Sequence, residues 1–218
     1  MLSMAGVGHE PCLVGRRRDS GMADSSAQET PGGSDVCSAK HAGWLATPLR
    51  RLVSDPKRIL RGLVAEGDHA LDLGCGPGFF TLPMAEMVGG AGTVTAVDLQ
   101  AEMLEMLKKR AERRGLAARI RLQRCAADSI GEIEPADFAL AFHMAHEVPD
   151  VARFMSEVAA SLKTGACLLL VEPKGHVSAE AFEQTVDLAA AAGMKAVSRP
   201  SIRFSRAVVM SMSGSPPS

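Results

Sequence analysis

Tyrosine is absent from this chain, tryptophan occurs once, and aromatic residues make up only 4% of the 218 positions. A core cannot rest on rings here. With 46% apolar residues it must be aliphatic, built of Leu, Val, Ala and Met. An excess of charge of one sign is also lacking: 24 basic side chains face 25 acidic ones, for a net charge of −1. Nothing therefore advertises a nucleic-acid groove or a cationic face for an anionic membrane. No window reaches the ~18 apolar residues of a membrane span. The C-x-x-C spacing is missing as well. The five cysteines, Cys12, Cys37, Cys75, Cys125 and Cys167, are odd in number and dispersed. That argues against a disulfide framework and a zinc site, and for a reducing, cytoplasmic setting with no bound metal.

The first forty residues are rich in Gly, Ser, Asp and scattered Pro, with no sustained apolar period. Residues 1–40 are expected to be a disordered tail. Apolar residues before Arg16 are interrupted by His9, Glu10 and Pro11 and precede the positive charges, the reverse of a signal peptide. The cluster Arg16, Arg17, Arg18 reads either as a localisation tag or as solvated charge. A single domain is expected over 41–212, followed by a flexible tail at 213–218. Nothing in the sequence fixes an oligomeric state.

From Lys40 onward strand and helix patterns alternate. Residues 41–52, with the sole tryptophan Trp44, predict a short helix and a turn at Pro48, poised either as a lid or against the outer face of a sheet. At 56–65 an apolar stripe of Ile59, Leu60, Leu63 and Val64 predicts a helix, with Pro56 suited to its first turn. Strands are expected at 69–73, 93–97, 119–124, 137–142 and 166–171, and helices at 79–88, 101–114, 151–162 and 178–192. Two β-like segments, 195–198 and 205–212, close the chain. Such short strand–helix repeats require right-handed crossovers and a parallel sheet. The expected fold class is α/β: a doubly wound, seven-stranded, mostly parallel sheet with a C-terminal antiparallel hairpin.

The most informative stretch is LDLGCGPGFF at 71–80. An apolar strand carrying an acid, Asp72, runs into three alternating glycines, Gly74, Gly76 and Gly78, and then into a helical pattern. Glycines at that spacing let the backbone turn sharply and approach a ligand closely. Some twenty residues on, TVTAVD at 93–98 is a second strand ending in a second acid, Asp98, placed to take the two hydroxyls of a ribose. A dinucleotide loop wants G-x-G-x-x-G, but here the spacing is G-x-G-x-G and Phe79 stands where the third glycine would be. Asp72 would also be unwelcome to a pyrophosphate, though not to an amino-acid ammonium.

The pattern D-x-G-x-G-x-G resembles motif I of the class I S-adenosylmethionine-dependent methyltransferases, and Asp98 falls where that family's second motif lies. The resemblance covers about residues 56–212. It implies S-adenosyl-L-methionine as cofactor, held by Asp72, Gly74, Cys75, Gly76, Gly78, Asp98, Leu99 and Met103. It also places CAADS, at 125–129, against the adenine. Asp128 would accept from the adenine amino group with Ala127 beside it, the alternative being that Asp128 caps the next helix. In FHMAHE, at 142–147, Phe142 would line the methionine portion. His143, His146 and Glu147 are the acid/base candidates, unless a histidine there only orients backbone or caps a helix.

The segment after strand four lacks the Asn/Asp-Pro-Pro-aromatic signature of the enzymes that methylate amino groups of DNA and glutamine. Basic clusters that would track phosphates are missing too. FHMAHEVPD and AVDLQAEML are similar to the small-molecule and quinone-type members. The resemblance thus implies methyl transfer to a small molecule, with a lid drawn from 41–52 and 172–177. A non-catalytic S-adenosylmethionine-binding subunit and a nicotinamide-dependent oxidoreductase are the alternatives.

Overall fold

The central strands of this chain are short runs rich in Val, Leu and Ala, and they pair into one sheet. The structure is a computed structural model that describes residues 55–213. The expected tails (apart from Ser213), the 41–52 helix with Trp44, the arginine cluster, Cys12 and Cys37 lie outside the described residues. The strands are β1 (His69–Leu73), β2 (Thr93–Asp98), β3 (Ile120–Arg124), β4 (Ala136–Phe142), β5 (Leu162–Pro173), β6 (Met194–Ser198) and β7 (Ser205–Met212). They form a seven-stranded sheet in the order β3-β2-β1-β4-β5-β7-β6. The pairs from β3 to β5 are parallel, and β7 runs antiparallel between β5 and β6. This is the doubly wound fold with a closing hairpin that the sequence predicts. The strand order reverses between β1 and β4, which makes that edge the place where such sheets take ligands.

The helices are α1 (Pro56–Leu60), α2 (Thr81–Met87), α3 (Ala101–Arg113), α4 (Val151–Ala160) and α5 (Ala179–Ala191). Successive strand residues point to opposite faces, and the core divides accordingly. Ala70, Phe138 and Leu140 meet Leu60 of α1, Met84 of α2 and Leu107 of α3 on one face. Leu71, Ala139 and Ala141 meet Met155 and Val158 of α4 and Phe182 of α5 on the other. Helix α3 buries Met103, Leu104, Leu107 and Ala111, the residues its period selects. No helix among the described residues is long and apolar enough to cross a membrane.

The largest departures from the sequence reading lie at three places. The 56–65 helix stops at Leu60, where Arg61 turns extended. Asp55 caps it by accepting from the Lys57 N–H at 3.1 Å, and Val64 stays buried without helical backbone. The helix expected from Phe79 begins at Thr81, because Phe80 packs back on Phe142 with ring centroids 4.4 Å apart. Helix α4 ends at Ala160, and Leu162 instead opens a twelve-residue β5, pairing with Ala136. Between β3 and β4 the chain crosses without a helix.

Candidate active site

The glycine loop is tied on both sides of β2. Its Cys75 N–H donates to the Val97 carbonyl at 3.0 Å, and the Gly78 N–H to the Cys75 carbonyl at 3.1 Å. The Gly76 N–H donates to Asp98 Oδ2 at 2.8 Å, and the Gln100 N–H to Asp98 Oδ1 at 2.9 Å. Asp98 therefore couples the loop to the entry of α3. The three glycines have φ of +67°, +51° and +87°, but their surroundings differ. A Cβ on Gly74 would stand 2.9 Å from Met144 Cβ, and one on Gly78 only 2.4 Å from Leu107 Cδ1, whereas one on Gly76 would meet nothing within 4 Å. A side chain on Gly78 would have to displace the tip of Leu107 on α3 and would sit at a left-handed φ. Gly76 faces open space.

Beneath the loop Asp72 is 3% exposed and accepts from Thr81 Oγ1 at 2.6 Å. Burial, and then the negative charge of Asp98, push its carboxyl up to about 7 against the pull of Thr81. Burial also raises Asp98, opposed by its two backbone donors, and raises the Cys75 thiol.

Along the same edge Leu99 is exposed and Met103 buried. Residues 126–129 form a tight turn closed by an Ala126–Ser129 bridge. A hollow is lined by Ala127, Asp128, Met144 and Phe154. Asp128 is exposed and meets Arg153 Nη1 at 3.3 Å. It caps no helix: the residue that accepts at the start of α4 is Asp150, from the Arg153 N–H at 2.9 Å.

Beyond β4 the two histidines part. His143 has a left-handed φ of +58°, costly for a residue with a Cβ. Its N–H donates to the Val171 carbonyl at 2.8 Å, and its Nε2 lies 2.8 Å from Ser205 Oγ on β7. His146 sits on the 3₁₀ turn Ala145–Glu147, with Nδ1 2.5 Å from Glu172 Oε2. Since a carboxylate only accepts, Nδ1 carries the proton of the neutral ring and Nε2 its lone pair. That Nε2 is 4.0 Å from Glu147 Oε1, beyond hydrogen-bond reach. The hydrogen bond to Glu172 leads in holding the His146 imidazole above its usual range, against partial desolvation. Burial raises the Glu147 carboxyl, which His146 draws back down. The ring of His176 lies 6.1 Å from that of His146.

Sequence reasoning missed Glu172 and His176. It placed 172–177 in a lid loop, whereas Glu172 and Pro173 end β5. The signal was present: Glu172 closes the apolar run LLLVE as Asp98 closes TVTAVD. Phe142 stacks between Phe80 and His143. Among the described residues no group of three or more His, Cys, Asp or Glu is arranged to hold a metal ion.

A methyltransferase-domain family matches residues 70–165, from β1 into β5. A solved S-adenosylmethionine-dependent methyltransferase from Aquifex aeolicus superposes with a TM-score of 0.71, covering 79% of this chain and 97% of that one at 23% identity. Residues 70–165 thus match a methyltransferase domain, and the fold is that of the class I S-adenosylmethionine-dependent methyltransferases. The chain is 30% identical over 115 residues to a demethylmenaquinone methyltransferase of Lactiplantibacillus plantarum, covering 50% of this chain and 46% of that protein. It is 39% identical over 71 residues to an aklanonic acid methyltransferase of a Streptomyces species, covering 32% and 30% respectively. The chain thus spans less than half the length of these curated relatives. The fold is also shared with a solved [4+2]-cyclase, at TM-score 0.58 and 23% identity.

Proposed function

We propose that this chain carries the methyl group of S-adenosyl-L-methionine to a small-molecule acceptor of the quinone kind. The observation that carries the reading is the open Gly76, whose N–H is fixed on the acid at the end of β2. That geometry leaves a backbone cradle beside a carboxylate with unused lone pairs, suited to a methionine moiety and a ribose. Asp72, Gly74 and Cys75 shape the cradle from below. Leu99, Met103, Ala127 and Asp128 would border the base, and Phe142 the methionine end. The two relatives, a demethylmenaquinone and an aklanonic acid methyltransferase, support a small quinone-type acceptor, and the near-zero net charge favours it over a nucleic acid.

Little covalent chemistry falls to the protein. The sulfonium brings an activated methyl, and holding the acceptor in line with it can supply ~7–11 kcal/mol in the best-oriented cases. Because a fold shared with a cyclase does not fix an activity, the deciding experiment is product analysis with isotopically labelled S-adenosylmethionine. Thermal shift with S-adenosylhomocysteine against NADH separates the oxidoreductase alternative. Gly76→Val is expected to abolish S-adenosylhomocysteine binding while the chain still folds, since its side chain would fill the cradle and oppose a φ of +51°. Calorimetry showing ordinary affinity in this variant would reduce the glycine to a turn residue.

Asp72 sets a pH dependence. Its folded value of about 7 lies above the ordinary 3.8, so the folded state holds the extra proton between those values. Its contribution to stability therefore falls as pH rises from 4 to 7. A ligand bringing an ammonium and a sulfonium lowers that value, so binding should release a proton near neutrality and tighten from pH 6 to 8. Calorimetry in buffers of different ionisation enthalpy measures the release, and Asp72→Asn should remove it. Equal proton release in both forms would point to another group.

A further inference from the structure

The His146–Glu172 pair has the features of a general base with its orienting acid, and nothing in the cofactor cradle requires it. Its two members are 26 residues apart in sequence and come from different elements, the turn after β4 and the end of β5. Glu172 is 1% exposed, an expensive place for a carboxylate. Its Oε2 is committed to His146, and its Oε1 has no hydrogen-bond partner. Such a group holds the imidazole in one tautomer, with the basic Nε2 directed away from it. The groups facing His146 are Glu172 from β5, Glu147 on its own turn and His176 from the loop after β5. Asp98, at the end of β2, acts on Glu147. The pair reaches the cradle through Met144, whose Cβ fills the room beside Gly74.

We propose that His146, oriented by Glu172, takes the proton from a hydroxyl acceptor, so that this enzyme methylates the oxygen of a phenol or enol. The proposal rests on the methyl-transfer reading above and narrows its substrate class. A hydroxyl oxygen gains nucleophilicity only as its proton leaves, so a base at the reacting atom lowers its barrier. A neutral amine or a thioether already presents its lone pair and gains little from one. In the step, the acceptor O–H proton passes to His146 Nε2. The freed oxygen pair forms the O–CH₃ bond, and the S–CH₃ bond breaks with its electrons remaining on sulfur. The products are a methyl ether, S-adenosylhomocysteine and an imidazolium held beside the Glu172 carboxylate, which then loses its proton to water. Glu172 is a positioning residue and His146 the catalytic one.

The full chain is incubated with methyl-tritiated S-adenosylmethionine and catechol, resorcinol or 1,4-dihydroxynaphthalene, alongside aniline, imidazole and thiophenol. S-adenosylhomocysteine affinity is measured in parallel for every variant. Label is expected on oxygen. His146→Gln should cut that rate by ~100-fold or more at pH 7 with S-adenosylhomocysteine affinity within twofold, and should regain rate as pH rises and the phenol ionises in solution. Glu172→Gln should move the acidic limb of kcat/KM to lower pH, because the imidazole loses the partner that raises it; a merely structural glutamate would not shift that limb. Three results with S-adenosylhomocysteine still bound overturn the proposal: label only on nitrogen or sulfur, no label on any oxygen acid, or a His146→Gln rate equal to that of the parent. Failure to bind S-adenosylhomocysteine at all removes the methyl-transfer reading, and this one with it.

Discussion

Asp98→Ala is expected to raise the dissociation constant of S-adenosylhomocysteine by ~100-fold or more, with little loss of folded stability. Two losses combine in the affinity. The ribose would lose a charge-assisted acceptor, worth ~1.5–3 kcal/mol. The Gly76 and Gln100 N–H groups, now held at 2.8 and 2.9 Å, would lose the carboxylate that fixes the cradle. Each tenfold step needs about 1.4 kcal/mol, so the first loss alone supplies one to two decades. Stability suffers less because a carboxylate raised by burial is itself costly to keep, and its removal offsets part of the broken hydrogen bonds. Asp98→Asn should fall between, since an amide offers one acceptor oxygen in place of two. Calorimetry with a thermal melt checks both parts. A folded Asp98→Ala that binds normally would leave Asp98 as a brace for the loop only.

The largest stability loss is expected at Phe138. It lies at the centre of β4, fully buried among Ala70, Leu140 and Cys167. Its register partners on the neighbouring strands, Ala70 and Cys167, are small and cannot fill the gap. Truncation to alanine should cost ~3–5 kcal/mol, seen in urea unfolding as a lower midpoint with an unchanged slope. Phe204, 65% exposed on the turn before β7, is the control: its truncation should be close to neutral. A Phe138→Ala midpoint close to that of the parent would show that the sheet collapses around the void.

The strands were legible because fully buried parallel strands are written as short apolar runs, and β1 and β7 match their expected limits. Helix α3 was legible because its apolar period is regular and Gly115 follows it. What failed was information from elsewhere in the chain. Residues 162–165 read as helix end and loop, yet Leu162 is claimed by Ala136, and the far end of β5 is claimed by β7 down to Pro173 opposite Ser205. Phe79 and Phe80 resemble a helix start until Phe142 captures Phe80. The site divides in the same way. The loop and Asp98 were visible as local spacing. His143, His146 and Glu147 are neighbours in sequence, so sequence grouped them, but the fold sends His143 to Ser205 and His146 to Glu172. Only the sheet brings positions 146 and 172 together.

The missing side chain of Gly74 has a further effect. Met144 occupies the space it leaves, so the glycine loop and the turn that carries His146 share one contact surface. They form a mechanical linkage without a hinge between them. Any displacement of the first loop therefore presses on the second.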